Sequence, residues 1–255
     1  MMNVEYEASR GIGRITLNKP EKINPLSYET LRELERVINE TSSERKVKVI
    51  ILAGKGKNFS AGHDLREILE MDGIGVEKLF LQCFRVMQAI RNAPQIFVAM
   101  VRGVAYAAGC QLVAACDLAI ASENAKFATP GVNVGLFCFT PIAFVSRNVN
   151  RKKAFELGIT GEPIDAWEAL KVGLVNKVVR DDELEAETQK IAEKIARFPL
   201  EVLEAGKRFF YTQIFMEDFS ALKFATEAIA LHSTSSFAKE GIKAFFEKRK
   251  PNWGD

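Results

Sequence analysis

Phe59-Ser60-Ala61-Gly62-His63-Asp64-Leu65, taken together with Gly103-Val104-Ala105-Tyr106-Ala107-Ala108-Gly109-Cys110-Gln111, is the part of this chain whose reading decides the fold. Each stretch follows an apolar segment of strand character, Val47 to Leu52 (VKVIIL) and Ile96 to Val101 (IFVAMV), and each leads towards a helix. Small residues let a backbone approach a ligand closely, and the first N–H groups of a helix have no intrahelical partner. Two such amides aimed at one point make an anion site or an oxyanion hole. Neither stretch carries the GKS/GKT tail of a phosphate loop or the G-x-G-x-x-G dinucleotide fingerprint. Read singly, each is also what a tight strand-to-helix turn looks like.

Outward from these turns the chain alternates strands with helices. Gly13 to Leu17 reads as a short strand closed by Asn18-Lys19-Pro20, and Ser27 caps a helix with Leu31, Leu34, Val37 and Ile38 on one face. Glu77 to Arg91 is a second helix, with Leu79, Phe80, Phe84, Met87 and Ile90 together. Ala108 to Ala115 is a third, and Asp117 to Ala121 is again strand-like. This order predicts parallel βα units and an α/β fold. Arg66 to Val76, broken by Met71-Asp72-Gly73-Ile74-Gly75, reads as a mobile surface loop. Beyond Ile164 come a short strand, Asn176 to Val179, and four helical segments: Ala166–Val172, Asp182–Phe198, Leu200–Phe215 and Asp218–Lys248 with a break near Ser235. The expected organisation is a core over 1–195 and a helical region over 196–255. The phenylalanines of the latter, among them Phe209, Phe219, Phe245 and Phe246, suit core packing or a subunit interface.

Composition excludes several classes. A net charge of +2 over 255 residues gives no electrostatic case for nucleic acid, despite the basic cluster Lys243, Lys248, Arg249 and Lys250, which also suits a helix end. Four cysteines, Cys83, Cys110, Cys116 and Cys138, form no CxxC pair, and only two histidines, His63 and His232, are present. No metal cluster can be read from them, and reduced buried thiols are expected. The N-terminus lacks a signal-peptide pattern, and no apolar run approaches the roughly 20 residues of a membrane span. These features predict a cytoplasmic soluble protein with no membrane partner.

Taken in order, the strings N-K-P-x-K-x-N-P-L, S-A-G-H-D-L, G-x-A-x-A-A-G-C-Q-L-x-x-A-C-D, F-A-T-P-G-V-N-V-G-L, T-G-E-P-I-x-A-x-E-A-L-x-x-G-L-V and E-G-I-x-A-F-F-E-K-R-K-P cover essentially the whole chain. They resemble the enoyl-CoA hydratase/isomerase (crotonase) family. The resemblance implies a spiral of ββα units and a C-terminal helical region that trimerises, often as a dimer of trimers. It implies acyl-CoA thioester substrates and no metal or redox cofactor, coenzyme A being part of the substrate. Carried over by position, the thioester carbonyl is held by the amides of His63 and Ala108. Lys22, Ala61, Gly62, Gly109, Gly131 and Phe139 complete the expected substrate contacts. Phe245 and Lys248 fall where the family presents an aromatic and a lysine to the CoA nucleotide, commonly across a subunit boundary.

The chain also departs from the family pattern. Hydratases of the family carry a glutamate at the position of Gln111 and another at that of Gly131, and some relatives use a carboxylate where this chain has Phe139. Glutamine can hold a water but cannot take its proton, and glycine offers nothing. Two-carboxylate hydration is therefore not expected, and Gln111 is kept only as a candidate catalytic hydrogen-bonding group. The other polar candidates are His63, Tyr106, Thr129, Asn133, Cys138 and Thr140. The A-G-H-D string is similar to that of malonyl-type acyl-CoA decarboxylases, although the expected contribution of His63 is its amide, with the side chain pointing elsewhere. Asp64 and Asp117 are expected to pin a turn and a strand end, and Cys138 to be a structural thiol. The expectation is an enzyme of lyase or isomerase type acting on acyl-CoA, with two alternatives: a decarboxylase, or a silent acyl-CoA-binding protein.

Overall fold

The computed structural model describes residues 2–254. Strands β1 (Val4–Ser9) and β2 (Ile12–Leu17) form a hairpin whose turn residues, Arg10 and Gly11, both take positive φ (52° and 76°). That geometry matches the twist of the flanking strands. Ser27 accepts a hydrogen bond from the Thr30 amide and starts α1 (Tyr28–Glu44), which buries Leu31, Leu34, Val37 and Ile38 as its spacing predicts. Next come β3 (Val49–Gly54), α2 (Leu65–Glu70), α3 (Gly73–Asn92), β4 (Ile96–Val101), β5 (Val104–Tyr106), α4 (Ala108–Ala115), β6 (Leu118–Ser122) and β7 (Lys126–Ala128). After a 3-10 turn at Pro130–Val134 the chain runs through α5 (Phe139–Val145), α6 (Arg151–Thr160), β8 (Ile164–Asp165), α7 (Ala166–Val172) and β9 (Lys177–Val179). It closes with α8 (Leu184–Ala196), α9 (Leu200–Gln213), α10 (Asp218–His232) and α11 (Ser236–Phe246).

A large sheet has the order β1-β2-β3-β4-β6-β9, parallel from β2 onward, and a small sheet has the order β5-β7-β8. The chain places β4 in the large sheet, β5 in the small one and then enters α4; β6 and β7 repeat the step. Both faces of the large sheet are covered. Ile50 and Leu52 pack with α1, α3 and α4 residues, whereas Val49, Ile51 and Ala53 pack with Leu184 and Ala192 of α8. Burial on both sides is why the β3 sequence is a continuous apolar run instead of an alternation. All eight residues of α4 are buried, which explains its run of small and apolar side chains.

One sequence expectation is corrected. Residues 66–76 are not a loop: Asp64 caps α2 through the Arg66 amide, and Asp72 caps α3 by accepting from the Gly75 amide at 2.7 Å. The glycines that look like helix breakers lie in the first turn, where a cap offsets their cost. The hairpin partner β1 gives no alternation to read, because of its residues only Val4 is buried. The break near Ser235 is found, with Ser235 capping α11 through the Ala238 amide. Asp117 does pin a strand end, accepting from the Phe97 amide at 2.7 Å. Among the described residues no helix is long and apolar enough to cross a membrane. Helix α10 has no buried residue, and Phe219, Leu222, Ile229 and Leu231 lie exposed along it.

Candidate active site

The segment after β2 clamps the first glycine turn. Asn24, buried and at φ 49°, donates through Nδ2 to the carbonyls of Lys55, Asn58 and Phe59 at 3.1, 2.9 and 3.1 Å. Ser60 Oγ donates to the Asn24 carbonyl at 2.8 Å and accepts from the Gly62 amide at 3.1 Å. The Ala61 amide donates to Ile23 O, and the Leu26 amide donates to Gly62 O. The second turn is zipped onto the first: the Phe59 and Ser60 amides both reach Val104 O, and the Tyr106 amide returns to Ser60 O at 2.9 Å.

Small residues are needed where the turns touch. A Cβ on Gly62, at φ 92°, would lie 2.9 Å from Ala107 Cβ and 3.1 Å from Ala108 N. A Cβ on Gly109 would lie 2.5 Å from the Ser60 carbonyl oxygen. Between them Ala107 sits at φ 48°, ψ −119°, a conformation L-residues rarely adopt. Its amide is held by Ala128 O at 2.9 Å, so the strain is fixed in place just before Ala108 opens α4. Among the described residues, neither the His63 amide nor the Ala108 amide donates a hydrogen bond within the chain.

The His63 ring is also fixed. Its Nδ1 lies 3.0 Å from the Leu26 carbonyl, which makes Nδ1 the donor, and Phe80 meets the ring in a T-shaped contact at 5.0 Å. Nε2 is buried without a partner. Burial lowers the imidazole pKa below its ordinary value, partly opposed by the bond to Leu26, so the neutral tautomer is favoured. The ring packs against Phe80, and both residues belong to the wall of a cavity of about 1040 Å³ beside the two turns. The side chain, which the sequence reading expects to point elsewhere, has its Nε2 closed off from the open space of that cavity.

Ala61, Ala107 and Ala108 line the same cavity, as do Ile68 from α2 and Leu136, Phe137 and Phe139. Lys22, Asp64 and Arg66 are its charged residues, and Asp64 is engaged in capping α2. Gly131 and Cys138 meet at the wall, the Gly131 amide donating to Cys138 Sγ at 3.3 Å. A Cβ at Gly131 would lie 2.5 Å from Leu136 O and 2.9 Å from Cys138 Sγ, so a side chain there collides with this loop. Burial raises the Cys138 thiol pKa, keeping it protonated as befits packing. Asn133 and Thr140 line the cavity as well.

Other residues singled out from the sequence are not on the wall. Gln111 is 2% exposed inside α4, with Cys83 Sγ 4.0 Å from its side-chain oxygen. Gly62 and Gly109 act behind the wall, at the seam between the turns. Tyr106 and Thr129 do not line the cavity, and neither do Phe245, 79% exposed, and Lys248, at φ 53°. The positive φ of Ala107 is not readable from an alanine, and neither is the part played by Leu26, which acts through its carbonyl. Phe80 was visible only as one apolar residue of a helical stripe.

Residues 7–255 match the sequence profile of the enoyl-CoA hydratase/isomerase family. The mouse protein named enoyl-CoA hydratase domain-containing protein 3, mitochondrial, is 46% identical over 244 residues, 95% of this chain and 81% of that one. The crystal structure of its human namesake superposes with a TM-score of 0.96 at 45% identity, covering 98% of this chain and 100% of that one. The structure of an enoyl-CoA hydratase from Mycobacterium smegmatis gives a TM-score of 0.95 at 43% identity, covering 98% of both chains. The cytoplasmic location expected from the sequence is overturned by the names of the mouse, rat and human relatives, all designated mitochondrial at 46% identity. With a full-length profile match and superposition over nearly every residue, the chain belongs to the enoyl-CoA hydratase/isomerase (crotonase) family and has its α/β fold with a C-terminal helical region.

Proposed function

We propose that this protein binds an acyl-CoA thioester, polarises its carbonyl with the amides of His63 and Ala108, and stabilises the enolate that results. The observation that carries the reading is the pair of undonated amides on two turns bonded to each other at the wall of one cavity. Fixed donors at a developing oxyanion are worth more than the same donors in water, because they need no reorganisation. The conventional two-carboxylate hydration is not its route: Gln111 lies off the wall, Gly131 has no room for a side chain, and Asp64 is occupied as a cap. Proton transfer falls to the His63 imidazole, whose unpartnered Nε2 is buried and must be uncovered as the ligand binds. Phe245 and Lys248 contribute to the nucleotide site from a neighbouring copy, in an assembly built on the exposed apolar face of α10.

The test follows hydrogen–deuterium exchange at the α-carbon of a saturated acyl-CoA by NMR, alongside water addition to crotonyl-CoA and CO₂ release from methylmalonyl-CoA. Wild-type protein is expected to catalyse exchange, and His63→Ala to lower it about a hundredfold with acyl-CoA affinity retained, since the amide survives. Because burial lowers the His63 pKa, exchange is expected to hold below pH 6.5 and to fall only as pH drops through the lowered value. Brisk crotonyl-CoA hydration would overturn the exclusion of the standard route. Decarboxylation unaffected by His63→Ala would leave that residue its amide alone. Tight binding without exchange or turnover would make the protein a silent binder.

A further inference from the structure

Of the six non-glycine residues with positive φ among the described residues, Arg10, Arg45 and Lys248 stand at a hairpin turn or at helix ends. The other three, Ile23, Asn24 and Ala107, adjoin the two glycine turns. Consecutive left-handed residues at Ile23 (φ 61°) and Asn24 (φ 49°) are costly, most of all for a β-branched side chain. Strain of this kind persists only where the surroundings fix it. Here the Ile23 amide donates to Pro20 O at 3.2 Å and the Asn24 amide to Lys19 O at 2.9 Å, while Asn24 Oδ1 accepts from the Lys19 amide at 2.9 Å.

The strained pair presents carbonyls to the first turn. Those of Ile23, Asn24 and Leu26 lie 2.9 Å from the Ala61 amide, 2.8 Å from Ser60 Oγ and 3.0 Å from His63 Nδ1. The Asn24 side chain adds its Nδ2 bonds to the carbonyls of Lys55, Asn58 and Phe59, so one residue spans the connection from the end of β3 to the turn. The two amides beyond are not held alike. Ala108 opens α4, whose eight residues are all buried. His63 precedes α2, which has no buried residue, so that helix does not fix its amide.

Resting on the thioester reading above, we propose that Asn24 is the positioning residue of the His63 amide. Its carbonyl and side chain set where that donor stands, whereas the Ala108 donor is set by α4.

The experiment compares three variants of the full chain. Asn24→Gly accepts the left-handed backbone and deletes the side chain. Ser60→Ala is milder and deletes the bond to Asn24 O. Leu184→Ala, on the α8 side of the large sheet, is the control for lost stability alone. In ligand-free protein, ¹H–¹⁵N spectra of Asn24→Gly are expected to shift the amide signals of residues 61–63 well beyond that of Ala108. With butanoyl-CoA at saturation, α-proton exchange is expected to fall about a hundredfold in Asn24→Gly and about tenfold in Ser60→Ala. The Kd of the ester should stay within about threefold, the mark of a contact that tightens only in the transition state. Leu184→Ala should melt lower and exchange at the wild-type rate. Amide signals of residues 61–63 that stay in place, or an exchange loss that Leu184→Ala reproduces, would overturn the proposal. Should Asn24→Gly not fold, Ser60→Ala decides by the same two readouts. A wild-type protein that catalyses no exchange would remove the thioester reading, and the spectra would still decide whether Asn24 sets the His63 amide.

Discussion

Gly109→Ala is expected to cut α-proton exchange by about two orders of magnitude, a loss larger than its effect on folding explains. The added Cβ would sit 2.5 Å from the Ser60 carbonyl oxygen and 3.0 Å from Ser60 Cβ. Ser60 has little freedom to retreat: its hydroxyl is bonded to Asn24 O and the Gly62 amide, and its carbonyl accepts from the Tyr106 amide. Nor can Gly109 move away, because α4 is buried on every side. The turns must therefore part, and the His63 and Ala108 amides move with them. A misplacement of about 1 Å at a reacting centre costs roughly a hundredfold in rate. Overpacking of this kind typically costs 1–3 kcal/mol of stability. The control is Gly206→Ala, at a helical glycine whose Cβ would meet nothing within 4 Å, which should be neutral or stabilising. A Gly109→Ala protein that melts lower yet exchanges at the wild-type rate would show that the spacing of the turns does not set the chemistry.

The same seam shows what a sequence can and cannot disclose. The glycine turns were legible because small residues between a strand and a helix have one main use, and β3, β4, α1 and α4 followed from apolar runs and spacing. The position of a side chain relative to a cavity was not. Gln111 looks like a catalytic candidate by position, yet it is buried inside α4 with Cys83 of α3, a residue 28 positions away, against its side-chain oxygen. His63 reads as an amide donor with its ring turned aside, and what sets the ring is the Leu26 carbonyl, 37 residues away, and Phe80 of α3, which no local pattern discloses. Gly131 looked like the loss of a glutamate. In the fold it is a place where Leu136 and Cys138 leave no volume for any side chain, so the absence is built into the 130–138 loop. Local chemistry is written locally, while these long-range contacts exist only once the sheets have formed.

Lys207→Met is expected to destabilise the protein by about 3–5 kcal/mol, the usual result of breaking a buried pair from one side. Lys207 is 6% exposed, and its ammonium donates to Ile90 O and Gln95 O, each at 2.8 Å, and to Asp117 Oδ2 at 2.9 Å. Burial lowers its pKa, opposed by the charge of Asp117 and the hydrogen bond to it. Methionine fills the space but leaves two carbonyls without a donor and Asp117 without its counter-ion, with Asp117 Oδ1 already lacking a partner. Asp117→Asn alone should also be costly, since it strands the ammonium. The double variant should cost less than the sum of the two, because neither charge is then left unpaired. The pair joins α9 to the start of β6, where Asp117 also holds the Phe97 amide of β4. Helix α10, with no buried residue of its own, stacks Phe224 on Phe209 of α9. Lys207→Met should therefore loosen the C-terminal helices before the sheets, seen as hydrogen exchange and proteolysis that begin beyond residue 199 while α1 and α4 stay protected. Uniform loss of protection across the chain would mean that α9 unfolds with the core and that the pair anchors no separable unit.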